Sequence, residues 1–169
     1  MSQTSYHQPL SARILIGYAL PALPVAALSI PLGVLLQNYY GEDLGLGLRS
    51  VALALFVARL CIFVVDPLIG WLSDTVTLPG LRARRRPWIF LGALFCLIAV
   101  WQLLLPNDPP PLWQFTLWAT LAYIGIEFIE VPHSAWTPDL AKSYDQRSLL
   151  NTFRTGGIIL GTLFAFILI

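Results

Sequence analysis

Charged residues are scarce in this sequence. Lysine, arginine, aspartate and glutamate together make up 11% of its 169 residues, whereas a soluble domain carries about a quarter. The apolar residues, 57% of the chain, instead collect in blocks that approach the length of about 20 residues with which a helix crosses a bilayer. The scarcity of charge therefore excludes an ordinary soluble domain and predicts an integral membrane protein.

Three further absences narrow the function. The net charge is only +1, so no basic surface indicates nucleic acid as a partner. The only cysteines, Cys61 and Cys96, lie inside apolar blocks, where a buried hydrophobic role is more common than a disulfide or a metal site. Neither an H-E-x-x-H metal-binding helix nor a G-x-S-x-G nucleophile elbow occurs. These are the sequence motifs of zinc-dependent and serine hydrolases. We therefore expect no enzyme, no metal site and no cofactor.

Five apolar blocks divide the chain into membrane spans. After a tail at residues 1–12, a transmembrane domain is predicted over residues 13–169, with spans at 13–38, 50–73, 87–105, 112–136 and 152–169. Three prolines interrupt the first block, which predicts a kinked and retained span rather than a signal peptide. The fifth block stops at Ile169 without a polar flank, so we expect four full spans plus the start of a fifth, in a chain that is the front part of a longer protein. The fold class is an all-α, polytopic bundle of membrane helices.

Basic residues concentrate on one side of the predicted bundle. One of them, Arg49, lies on the opposite side, and seven share the other side: Arg13, Arg82, Arg84, Arg85, Arg86, Lys142 and Arg147. The positive-inside rule therefore places the N-terminus and the loops after spans two and four in the cytoplasm, for a protein of the inner or plasma membrane. Anionic lipid in the bilayer would also attract the arginine-rich loop.

Acidic residues inside the apolar blocks point to a function. Asp66 lies eight residues before Asp74, about 12 Å into the second span, where an ionised carboxylate costs about 2.5–3.5 kcal/mol unless it faces water or a partner. Glu127 and Glu130 are three residues apart on one face of the fourth span, and Tyr123 lies on the same stripe. Carboxylates at this depth can bind a cation or carry a proton, and this binding can be coupled to a conformational change.

Arginines and glycines supply a structural alternative. Arg59 precedes Asp66 by seven residues, which is two turns on the same helix face, and Arg154 enters the fifth block. The acids could therefore form buried ion pairs that only fix helix packing. The spacing of Gly157 and Gly161 is a small-xxx-small pattern, to which we assign helix packing alone.

Three motifs resemble one transporter family. The segments "VARLCIFVVDPLIGWLSD", "RRRPWIFLGA" and "EFIEVPHSAWTPDLA" resemble the glycoside-pentoside-hexuronide:cation symporters, the melibiose-permease-like branch of the major facilitator superfamily. The run "GWLSD" followed by "RRRP" is also similar to sucrose:proton symporters. This resemblance, from Tyr39 to Gly161, implies the N-terminal part of a major facilitator fold and sugar symport by alternating access. Such transporters have about twelve spans in two halves, so it also implies a C-terminal half as a partner.

The resemblance implies roles for individual residues in the spans. Asp66 corresponds to the aspartate that couples a cation or proton, and Glu130 to an acid near the sugar. Arg154 corresponds to an arginine that reaches the same cavity. Glu127 is a further candidate for ion coupling, and Tyr123 for the sugar site. In the loop after span two, the resemblance implies a conformational latch formed by Gly70, Asp74, Arg82, Arg84, Arg85 and Arg86, and a topology signal alone is the alternative.

Two departures from the family pattern bear on the coupling ion. Ile62 stands where the melibiose-type sodium site has a second acid, and Ala26 stands where the first span has a sugar-binding acid. Fewer oxygen ligands then remain for a metal cation, whereas a lone acid can still take up a proton, so we favour proton coupling. Sodium coupling remains an alternative because Glu127 could restore an oxygen ligand. A non-transporting membrane subunit or remnant is the other alternative.

Overall fold

The computed structural model describes residues 10–76, 85–106 and 110–168, and all regular structure in these ranges is helical. The α-helices are α1 (Ala12–Ala19), α2 (Ala22–Ile30), α3 (Leu36–Asn38), α4 (Leu48–Thr75), α5 (Arg86–Leu104), α6 (Leu112–Ser134), α7 (Thr137–Leu140) and α8 (Tyr144–Leu168). Within the described ranges, five helical runs are long and apolar enough to cross a membrane: Ala12–Asp43, Leu48–Thr75, Arg86–Leu104, Leu112–Leu140 and Tyr144–Ile167. These runs confirm the all-α membrane fold class.

Internal contacts divide the chain into two compact units. One unit is Ser29–Ser134, which holds α3 to α6, and the other combines Met1–Leu28 with Ala135–Ile169, which holds α1, α7 and α8. Each unit is described separately below. The predicted acids of the second and fourth spans therefore belong to one unit, and the predicted arginine of the fifth span belongs to the other.

The first membrane run is interrupted near its prolines. Helix α1 ends at Ala19 and α2 begins at Ala22, so Pro21 lies in the break between them. Proline interrupts a helix because it has no N–H to donate and its ring clashes with the preceding turn. A wider helical turn follows at Pro31–Leu35, where the N–H of Leu36 donates to the carbonyl of Pro31 five residues earlier. The interruption predicted from the prolines thus lies at residues 20 and 21.

Two glycines bring α5 and α6 into close contact in the unit Ser29–Ser134. A Cβ atom on Gly92 would lie 2.6 Å from the carbonyl oxygen of Gly125, and one on Gly125 would lie 2.8 Å from the backbone nitrogen of Cys96. The thiol of Cys96 donates to the carbonyl of Ala122 at 3.5 Å. Gly92 lies beside Gly125, whereas Cys96, which is later in α5, lies beside Ala122, which is earlier in α6. The two helices are therefore antiparallel. Backbones this close need residues without side chains.

Helix α8 begins earlier than the apolar block in the sequence. The block begins at residue 152, but the helix begins at Tyr144, because a capping box precedes it. The hydroxyl of Ser143 accepts the N–H of Gln146 at 3.3 Å, and the side-chain oxygen of Gln146 accepts the N–H of Ser143 at 3.4 Å. The fifth run therefore spans Tyr144–Ile167, 24 residues and long enough to cross a membrane, where the sequence had predicted only the start of a span.

Helix α8 packs on the first membrane run through the predicted glycine pair. A Cβ on Gly157 would lie 2.7 Å from the carbonyl oxygen of Ala19, and one on Gly161 would contact the carbonyl of Leu23 and lie 3.1 Å from Cβ of Ala26. The small-xxx-small spacing therefore has the packing role that it predicted. Ala26, where the resemblance expects an acid, is buried in this helix contact.

Candidate functional site

Helices α4 and α6 pack side by side and carry the predicted acids. Arg59 lies over the ring of Tyr123, and a Cβ on Gly70 would lie 3.8 Å from a methyl group of Val131. The contact later in α4, at Gly70, is also the contact later in α6, at Val131, so α4 and α6 are parallel. Asp66, between Arg59 and Gly70, therefore lies at the level of the residues between Tyr123 and Val131.

Asp66 is partly buried and has an unsatisfied oxygen. Its Oδ1 atom is buried and accepts no hydrogen bond. The next residue, Pro67, lies inside the helix and has no N–H of its own. Ile62, one turn earlier, is buried and apolar, so it offers no polar atom to the carboxylate. A buried acceptor without a donor is costly, and a bound proton or cation would relieve that cost.

Glu127 is the centre of a small charge cluster. Its carboxyl group interacts electrostatically with the carboxyl groups of Asp66 and Glu130 and with the guanidinium of Arg59. Glu127 thus has two neighbouring acids and one neighbouring arginine. Like charges repel one another, and a positive ion taken up by one of the acids lowers the repulsion. The arrangement can therefore bind and release a positive ion.

Arg59 is the member of this cluster that the sequence left outside the predicted site. Its guanidinium carbon lies 4.2 Å from the ring centroid of Tyr123, within the range of a cation–π contact. Tyr123 is only 6% exposed, so the ring is a fixed surface. The spacing of Arg59 and Asp66 on one helix face was the available signal. The contact with Tyr123 also requires the register between α4 and α6.

Among the described residues of the predicted latch loop, Asp74 and Arg85 form a direct ion pair. Oδ1 of Asp74 accepts hydrogen bonds from Arg85, at 3.2 Å from Nε and 2.9 Å from the terminal nitrogen Nη2. This pair joins the end of α4 to the residue before α5, while Arg86 is exposed at the first position of α5. Arg82 and Arg84 lie outside the described residues. A role of the pair in conformational change stays a prediction.

The predicted site residues do not all fall in one unit. Asp66, Glu127, Glu130 and Tyr123 lie in the unit Ser29–Ser134, whereas Arg154 lies on α8 in the other unit, where it is partly buried. No group of three or more histidine, cysteine, aspartate or glutamate side chains among the described residues is arranged to hold a metal ion.

Comparison with known proteins gives a consistent set of relatives. Residues 17–169 match the family described as MFS/sugar transport protein. An uncharacterized symporter of Synechocystis sp. is 31% identical over 123 residues, which cover 68% of this chain and 22% of that protein. The sodium-dependent lysophosphatidylcholine symporter 1-B of Danio rerio is 27% identical over 150 residues, 86% of this chain and 28% of that protein. An uncharacterized symporter of Bacillus subtilis is 24% identical over 136 residues, 78% of this chain and 29% of that protein. The chain thus spans less than a third of the length of these relatives.

Proposed function

Because this chain belongs to the MFS/sugar transport protein family, we propose that it is part of a secondary active transporter that couples the movement of a sugar to that of a proton. Membership confirms the resemblance read from the motifs, and it places the chain among transporters rather than enzymes. The related proteins of Synechocystis, Danio rerio and Bacillus subtilis are all named symporters. Alternating access in such a carrier would involve the rest of the complete protein.

The observation that carries the proposal is the unsatisfied oxygen of Asp66 beside a second acid. In the proposed cycle, Asp66 takes up the coupling ion on one side of the membrane and releases it on the other. Ion binding changes the charge of the cluster formed with Glu127 and Glu130. A change of charge can shift a conformational equilibrium when the two conformations bind the ion unequally. This difference in affinity is the physical basis of coupling.

The surroundings of Asp66 support a proton as the coupling ion. A metal cation needs several oxygen ligands, whereas a proton needs one. The buried side chain of Ile62, one turn from Asp66, supplies no oxygen. Sodium is the alternative, since Glu127 could offer a second carboxylate and the Danio rerio relative is named sodium-dependent.

The substrate class is proposed on the family description and on the groups beside the ion site. Glu130 offers a carboxylate that can accept hydrogen bonds from sugar hydroxyls. Tyr123 stays a predicted sugar contact, but its ring is 6% exposed and holds the guanidinium of Arg59 on one face. Arg154, on α8, stays a predicted sugar contact. A lysophospholipid is the alternative substrate because the Danio rerio relative is named for one.

Uptake into proteoliposomes that hold the complete carrier tests coupling and substrate together. We expect a panel of radiolabelled sugars to include at least one that accumulates under an inward proton gradient, and a protonophore to abolish the accumulation. An inward sodium gradient at equal pH should have no effect. Sodium-driven uptake would show that sodium, and not a proton, is the coupling ion. Uptake of labelled lysophosphatidylcholine without uptake of any sugar would show that the substrate is a lysophospholipid. Absence of transport in every arm would favour a non-transporting membrane subunit.

We also propose that the N-terminus and the loops after α4 and α6 face the cytoplasm of the inner or plasma membrane. Arg49 and Arg147 are exposed and would lie on opposite sides. Cysteine placed at either position, with Cys61 and Cys96 replaced by serine, can be labelled in whole cells with an impermeant maleimide. We expect Arg49→Cys to react at once and Arg147→Cys to react only after permeabilisation. The reverse pattern would overturn the orientation.

A further inference from the structure

Arg59 brings a permanent positive charge into the acid cluster between α4 and α6. Its guanidinium lies 4.2 Å from the ring centroid of Tyr123 and interacts electrostatically with Glu127. Tyr123 precedes Glu127 by one helical turn, so the ring holds the guanidinium about one turn of α6 from the second acid. Arginine stays charged in any accessible pH range. The cluster therefore contains a cation that belongs to the protein.

This built-in cation affects a metal ion and a proton differently. A metal cation must be shared by several oxygens, and here the carboxylates of Asp66 and Glu127 are the neighbouring pair. To bind between them, the metal ion must approach the guanidinium closely and compete with it for Glu127. A proton instead binds a single oxygen, and the Oδ1 atom of Asp66 is buried without a hydrogen-bond donor. Protonation of Asp66 can leave the interaction of Arg59 with Glu127 in place.

We infer that Arg59 determines the ion selectivity of this site, because its fixed charge disfavours a metal cation between Asp66 and Glu127 while leaving Asp66 able to accept a proton. The inference rests on the proposed proton coupling. It assigns Arg59 a selectivity role through the acids, without direct contact with the transported substrate. Tyr123 has a supporting role, since its ring holds the guanidinium in position.

Binding of radioactive sodium to the purified 169-residue chain in lipid nanodiscs tests the inference. We expect Arg59→Gln to bind sodium at neutral pH roughly tenfold or more tightly than the unmodified chain, since one neighbouring unit charge acts on this scale in a protein. Arg59→Lys keeps the charge and should match the unmodified chain. The double variant Arg59→Gln with Asp66→Asn should lose the gained binding, because it lacks one of the two carboxylates.

Arg49→Gln is the matched control for the loss of charge. Arg49 is exposed in the first turn of the same helix α4, ten residues before Arg59. Its replacement should leave sodium binding unchanged. Folding of each variant is checked by thiol labelling in a Cys61→Ser background, since Cys96 is buried between α5 and α6 and should react only when the chain unfolds.

The outcomes separate this inference from the proposed function. Equal and weak sodium binding by the folded Arg59→Gln variant and the unmodified chain would overturn the selectivity role and leave proton coupling intact. Tight sodium binding by the unmodified chain, dependent on Asp66, would overturn proton coupling and the selectivity role together. If Arg49→Gln gained as much sodium binding as Arg59→Gln, the gain would result from the lower net charge of the chain. That outcome would overturn the assignment to Arg59.

Discussion

Replacement of Asp66 by asparagine is expected to abolish uphill accumulation of substrate in the complete carrier while preserving exchange of substrate across the membrane. Asparagine is nearly the same size as aspartate, so the packing of α4 on α6 should survive. It cannot become negatively charged, and it therefore cannot bind and release a proton. The measurement compares accumulation under a proton gradient with exchange between labelled external and unlabelled internal substrate.

Asp43→Asn is a suitable control for this experiment. Asp43 is exposed in the last turn of the first membrane run, away from the acids of α4 and α6. The Asp43→Asn variant should accumulate substrate at the level of the unmodified carrier. Accumulation by Asp66→Asn at the level of this control would remove Asp66 from the coupling mechanism. Loss of exchange as well as accumulation, in a variant that is inserted normally, would move Asp66 from ion coupling to substrate binding or to the conformational change itself.

The membrane helices were largely predictable because the energy of burying apolar residues depends on composition along a single segment. Two boundaries were exceptions: the first run continues to Asp43 instead of ending at residue 38, and α8 begins earlier than predicted. For α8, hydropathy places the boundary at residue 152, since the preceding residues are polar, but a helix can continue beyond the apolar core of a bilayer. The S-x-x-Q spacing of Ser143 and Gln146 was the signal that marked the true start.

The acids of the site were predictable one at a time, and their arrangement was not. The cost of a charge in lipid singled out Asp66 and Glu127 from the sequence. The contact between Arg59 and Tyr123 depends on how α4 and α6 are aligned along their axes. That register results from packing across the whole helix pair, so no spacing within either segment reveals it.

The loop after α4 shows the same limit. The sequence contains several arginines near Asp74, and a positive-inside signal treats them alike. Of the two arginines of this loop that the structure describes, Arg85 and Arg86, it is Arg85 that forms an ion pair with Asp74. The backbone positions of the two residues decide which one pairs, and composition does not encode those positions.

Replacement of Gly125 by alanine is expected to destabilise the chain by about 1–3 kcal/mol, the usual cost of extra volume in a packed interior. The added methyl group would lie 2.8 Å from the backbone nitrogen and 2.8 Å from the sulfur of Cys96, and 2.9 Å from the carbonyl oxygen of Gly92. Two of these atoms belong to backbone, which cannot rotate away as a flexible side chain could. Helices α5 and α6 must therefore separate, and the contacts along their interface are weakened.

Thermal unfolding followed with a fluorogenic maleimide measures this effect at the site itself. In a Cys61→Ser background, the buried thiol of Cys96 is the reporter, and it becomes reactive when α5 separates from α6. The midpoint should fall by about 2–4 °C for each kcal/mol lost. Gly33→Ala is the matched control in the same unit, because a Cβ there would meet no atom within 4 Å. Since alanine is a better helix former than glycine, the control should unfold at the original temperature or above it. A Gly125→Ala variant that unfolds with this control would mean that the two helices are not held at the distance at which only glycine fits.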